Sequence, residues 1–160
     1  MIEPIRETDL PECVRVIRES FLTVAEEFGF TEENAPRFTA FSVTEERLKQ
    51  QYFHERRPMF VYRAEGRIAG YYSLSPREGE ACELNNLCVL PALRHRRIGE
   101  KLLRHSFEIA AAQFCTKIKI SIVEENERVK KWYTAFGFRH LGTKKYDFFP
   151  FTCGMMEKTL

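Results

Sequence analysis

The chain has no apolar run approaching the roughly 18 residues of a membrane-spanning helix, and its opening, Met1 to Thr8, lacks the long apolar segment that directs secretion. Neither secretion nor membrane spanning is expected. The cysteines Cys13, Cys82, Cys88, Cys115 and Cys153 form an odd set without a Cys-x-x-Cys pair, which implies reduced thiols in a cytoplasmic setting. His54, His95, His105 and His140 show no zinc-ligand spacing with one another or with cysteine, so no metal is expected. Charge of one sign is also missing: the formal net charge is +2, too little for a global field that would gather nucleic acid or an anionic membrane. Repeats, linkers and low-complexity segments are absent, and residues 1–160 read as a single domain long enough to bury its own core.

What is present is a local concentration of charge. Arg94-His95-Arg96-Arg97 follows a strand-like run, Ala81 to Val89, that is closed by Leu90-Pro91, because proline cannot donate to a ladder. Beyond Gly99 the apolar positions Leu103, Phe107, Ala110 and Phe114 recur at helical spacing. The unit reads as strand, proline turn, basic loop and helix. The first amides of a helix have no intrahelical partner and carry the positive end of its dipole, so this junction suits an anion such as phosphate.

Val89-Leu90-Pro91 followed by Arg94-x-x-Arg97-x-Gly99 resembles the acyl-CoA pyrophosphate loop of GNAT-type N-acetyltransferases, whose pattern is Gln/Arg-x-x-Gly-x-Gly/Ala. Arg97 departs from it, standing where the middle glycine belongs; the expectation is a helical backbone at Arg97 with the side chain turned outward. Downstream, Asn126 to Tyr133 and Gly137-Phe138 resemble the family's later Asn-x6-Tyr-x3-Gly-Phe block. The resemblance covers roughly residues 81 to 140. It implies acetyl-CoA as co-substrate, and a fold in which a mixed twisted sheet splays open between its fourth and fifth strands, with the pantetheine arm in the gap.

The remaining patterning agrees with an α/β layer fold. Strands are expected at Ile2 to Arg6, Met59 to Arg63, Arg67 to Leu74, Lys117 to Val123, Arg139 to Tyr146 and Cys153 to Thr159. Helices are expected from Thr8 to about Phe28, from Thr44 to Glu55, from about Arg97 to Phe114 and after Asn126, with residues 29–41 as an ordered loop. The helices then cover both faces of the sheet.

Acetyl transfer to an amine needs an anchored thioester, a deprotonated amine and a proton for the departing thiolate. The resemblance assigns the anchor to the amides of His95, Arg96, Arg97, Ile98, Gly99, Glu100 and Lys101, with charge added by Arg94, and to the backbone of Leu87, Cys88 and Val89. The resemblance makes Glu83 the candidate base, since some members of that family keep a glutamate at this offset, four residues before Leu87, and strand alternation puts it on the same face as Leu87 and Val89; a solvated or cation-paired strand glutamate is the competing reading. Tyr133 is the candidate acid, and the same residue could equally be a core tyrosine with a satisfied hydroxyl, since Val129, Trp132, Tyr133 and Phe136 share a helix face. Asn126 suits a site beside the pantetheine arm, a helix N-cap, or both. An acyl-cysteine at Cys88 is disfavoured, because no histidine lies near it in sequence to activate the thiol.

The acceptor expected from the resemblance is a primary amine of a small molecule or peptide. Residues Phe28 to Phe41 and Tyr146 to Cys153 are candidate pocket walls. The other readings are a non-catalytic CoA-binding relative and a nucleic-acid module using Arg94 to Arg97. The oligomeric state stays open, a homodimer included.

Overall fold

A computed structural model describes residues 1–160. Its elements run β1 (Ile2–Pro4), α1 (Leu10–Phe28), α2 (Thr39–Ser42), α3 (Glu45–Lys49), β2 (Met59–Ala64), β3 (Arg67–Leu74), β4 (Ala81–Val89), α4 (Ile98–Ala112), β5 (Lys117–Val123), α5 (Glu127–Ala135), β6 (Arg139–Lys145) and β7 (Thr152–Thr159). The seven strands form one sheet in the order β1-β2-β3-β4-β5-β7-β6. All pairs are antiparallel except β4 with β5.

Helices cover both faces, as the resemblance implied. On one face α4 and α5 bury Leu102, Leu103, Ala110 and Tyr133 against Tyr72, Cys82, Leu84, Ile118 and Ile120. On the other, α1 and α3 bury Leu10, Val16, Ile17 and Leu48 against Val61, Ile68, Tyr71 and Cys88. Gly70 lets α4 settle onto the sheet, because a Cβ there would lie 2.7 Å from Leu102 Cδ1 and 2.9 Å from the Cys88 carbonyl oxygen. A third cluster joins the end of α1 to Phe30, Phe38, Phe151 and Cys153.

Two segments differ from expectation. The helix expected over Thr44 to Glu55 is regular only through α3, where Thr44 Oγ1 accepts the Arg47 N–H at 3.1 Å, and then widens into a π-helical turn from Gln50 to His54. Residues 29–41, expected as loop throughout, are ordered by reciprocal bonds between Thr31 and Asn34 and end in the short helix α2, which packs on α1 through apolar residues too few to show a period.

Candidate active site

The two parallel strands stay together only briefly. β4 and β5 pair at Ala81–Lys117, Cys82–Ile118 and Glu83–Lys119 and nowhere beyond, so from Leu84 onward the edge of β4 that faces β5 has no strand partner. This is the splay. It leaves backbone donors and acceptors of β4 open to an extended ligand, which can bond to them as an added strand would.

β4 also carries a bulge. Asn86 has φ of 55°, and the register with β3 passes from Ser73–Asn85 to Tyr71–Cys88, placing one more residue on β4 than on its partner. The bulge corrects the face expected for Glu83. Upstream of it Cys82 and Leu84 pack toward α4, and downstream Leu87 and Val89 do so, whereas Cys88 turns toward α1. Glu83 therefore lies on the face opposite Leu87 and Val89, because an inserted residue reverses strand alternation. Its carboxylate oxygen accepts from Ser121 Oγ at 3.5 Å and pairs with no cation.

The loop into α4 forms a concave run of amides. From His95 through Glu100 no backbone N–H has an acceptor within the protein; the first to find one is Lys101, which donates to the Arg97 carbonyl at 3.0 Å. The free donors thus stop one residue short of the run implied by the sequence. His95 and Arg97 both adopt positive φ, 65° and 61°, and this alternation curls successive N–H groups toward a common point, the geometry of an anion nest. Arg97 does not have the helical backbone expected of it: it is left-handed, with ψ of 16°, in the region that favours glycine. His95, Arg96 and Arg97 are exposed around the nest, while Ile98 is buried and anchors it. A Cβ on Gly99 would meet only Trp132 and Val89, both at 3.7 Å, so the protein itself does not require glycine there.

Arg94 plays a different part from its neighbours. Its Nε donates to the Val89 carbonyl at 3.2 Å, one terminal nitrogen donates to Thr23 Oγ1 at 3.0 Å, and the other donates to the Ser20 carbonyl at 2.9 Å. The guanidinium is therefore turned inward, tying the end of β4 to α1 instead of reaching toward the nest.

On the far side of the splay, Asn126 caps α5 by accepting the Val129 N–H at 3.2 Å and also faces the cavity. One helical face later comes Tyr133, 8% exposed. Burial raises its phenol pKa well above the usual tyrosine range, so the group keeps its proton at neutral pH. Its hydroxyl makes no hydrogen bond within the protein, and Tyr133 lines the cavity. That differs from a core tyrosine with a satisfied hydroxyl. Cys88 is buried against α1, where burial pushes its thiol up to about 12, far from the thiolate that a nucleophile needs.

The cavity between these elements measures about 290 Å³. Both expected wall segments contribute, through Arg37, Phe38 and Thr39 from one and Phe149, Phe151 and Cys153 from the other. Sequence reasoning missed Phe21 and Val24 of α1 and Ser121 to Val123 of β5, which complete the lining. The i, i+3 spacing of Phe21 and Val24 marks a buried helix face but not what it faces. The fit to a CoA-type ligand is good on two counts: six successive amides for a pyrophosphate and an unpaired strand edge for an amide-bearing arm.

Known proteins agree with this geometry. A family model described as the acetyltransferase (GNAT) family matches residues 22–138. An N-acetyltransferase encoded in the pepI 3′ region of Lactobacillus delbrueckii subsp. lactis is 23% identical over 147 residues, covering 85% of this chain and 82% of that protein. Among solved structures, PaiA N-acetyltransferase from Thermoplasma acidophilum, in complex with coenzyme A, superimposes with a TM-score of 0.86 at 20% identity, covering 100% of this chain and 98% of that one. The Salmonella typhimurium acetyltransferase yncA, with its cofactor acetyl-CoA, gives a TM-score of 0.78 at 16% identity over 100% of this chain and 93% of that one. With the family match running through the splay, the amide nest and the helix that carries Tyr133, this protein is an acetyl-CoA-dependent acyltransferase belonging to the acetyltransferase (GNAT) family.

Proposed function

We propose that the protein moves the acetyl group of acetyl-CoA directly to a primary amine of a small molecule or peptide, with both substrates bound together in the splay. The observation that carries this reading is the Tyr133 hydroxyl, protonated and without a protein partner, on the wall of a cavity that also holds an unpaired carboxylate, Glu83. Acetyl-CoA supplies the activated acyl group. The amides from His95 to Glu100 hold its diphosphate, the open edge of β4 from Leu87 to Val89 holds its arm, and Asn126 fixes the start of the helix flanking the thioester.

Glu83, directly or through water, takes a proton from the acceptor ammonium and so frees the nitrogen lone pair for attack. The nitrogen bonds to the thioester carbon; as the carbon–sulfur bond breaks, Tyr133 Oη gives its proton to the sulfur, the second proton shed by the new amide nitrogen restores the phenol through water, and Glu83 returns its proton to solvent. The buried, protonated Cys88 offers no nucleophile for an enzyme-bound acyl group, which supports direct transfer. The free, buried cysteines support a reducing cytoplasmic location.

Tyr133→Phe tests the assignment, since it deletes the hydroxyl and keeps the ring. Turnover is expected to fall by roughly 10²–10⁴-fold with acetyl-CoA affinity little changed. The melting temperature should hold, because no intraprotein hydrogen bond is lost. Turnover near wild type would remove Tyr133 from the chemistry, and absence of turnover by the wild-type protein across a broad amine panel would favour a CoA-binding protein without catalysis.

A further inference from the structure

The cavity has two unlike ends. Val129 and Tyr133 of α5, which belong to the cluster built on α4 and α5, border one together with the cap residue Asn126. The other is walled by rings from the third cluster: Phe38 and Phe151 meet edge-on with centroids 5.9 Å apart, and Phe149 stacks on Phe151 at 4.5 Å. Such a wall suits an apolar or aromatic body.

Of all the lining side chains, the ones that carry full charge are Arg37 and Glu83. They are opposite in sign, and neither forms an ion pair within the protein. Arg37 makes no hydrogen bond; its guanidinium carbon lies 4.2 Å from the centroid of the Phe148 ring. Glu83 has only the long contact with Ser121. Other arginines of the chain also lack a carboxylate partner, but Arg37 is the arginine that lines the cavity. A guanidinium held against a ring keeps its in-plane donors free for a planar anion.

We infer that the acceptor is an amino carboxylate with an apolar or aromatic body, its ammonium directed to Glu83 and its carboxylate to Arg37. This rests on the acetyl-transfer reading above and names the substrate class of that same site. A polyamine, which brings cations at both ends, would set one of them against Arg37. A plain arylalkylamine would leave Arg37 without a partner.

Matched acceptors that differ only by the carboxylate test the inference: phenylalanine against phenethylamine, and 6-aminohexanoate against pentylamine, with spermidine as a polycation. Two readouts are taken, thiol release from acetyl-CoA and calorimetric binding to the protein saturated with CoA. At least one carboxylate-bearing partner is expected to exceed its decarboxylated twin by about tenfold in kcat/KM and in affinity. Arg37→Gln should collapse that ratio to near unity, and Arg37→Lys should restore part of it. Ratios at or below one for both pairs, a preference for spermidine, or a ratio untouched by Arg37→Gln would overturn the inference while leaving acetyl transfer intact. Binding without turnover by any acceptor would instead count against the transfer reading, and the calorimetric ratio alone would then decide the inference.

Discussion

Replacing Arg97 by glycine separates what the nest owes to backbone shape from what it owes to charge. Arg97 holds φ of 61° and ψ of 16°, a conformation that costs an L-residue about 1–2 kcal/mol. Glycine removes that cost but adds about 0.5–1 kcal/mol of unfolded-state entropy, so the net gain is roughly 0.5–1 kcal/mol. For a chain of this length each kcal/mol shifts the melting temperature by about 2–4 °C, which gives a rise of about 1–4 °C. The Arg97 side chain is exposed and has no ion-pair partner, and an exposed contact with a phosphate is worth about 0–1 kcal/mol. The dissociation constant for CoA should therefore rise less than about fivefold, and less still in high salt. Thermal melts of the free protein and calorimetry with CoA at two ionic strengths measure both quantities. A lower melting temperature would refute the strain argument. A loss of CoA affinity beyond about thirtyfold would show that the guanidinium, not the amide run, holds the anion.

Glu83→Gln should depress turnover most at neutral pH and recover as the pH approaches the acceptor's own ammonium pKa, about 10 for an alkylamine; a pH-independent defect in the rate profile would refute its role as base. Arg94→Lys keeps the charge but not the fork, so thermal or chemical denaturation should report a loss of about 1–3 kcal/mol as the ties to Val89, Thr23 and Ser20 are broken. Unchanged stability with weakened CoA binding would instead make Arg94 a phosphate ligand.

Much of the fold was legible because the signals were periodic and locally bounded. β3, β4 and β5 occupy the stretches that alternation and Pro91 marked out, and the amide nest sits where a basic loop opens an amphipathic helix. What escaped depends on contacts between distant segments. Nothing in the residues near Asn86 announces a bulge, since it arises from the register imposed by β3, and so Glu83 was assigned to the wrong face. The inward turn of Arg94 depends on carbonyl and hydroxyl acceptors more than 70 residues earlier in the chain. Arg97 in a glycine conformation is the same lesson at a single residue: the nest overrides local preference.

The bulge at Asn86 makes the site sensitive to chain length in a way that no side-chain substitution is. Upstream and downstream of one residue, the same strand presents opposite parities, one that sends Glu83 toward the cavity and one that sets Leu87 and Val89 beneath the α4 helix. Loss of a single residue between Asn85 and Leu87 would exchange inside for outside along half the strand, turning Leu87 and Val89 away from α4 and Cys88 toward it. The chain at this point is counted rather than spelled, and substitution of Asn86, whose φ of 55° favours asparagine or glycine, should still cost far less than its deletion.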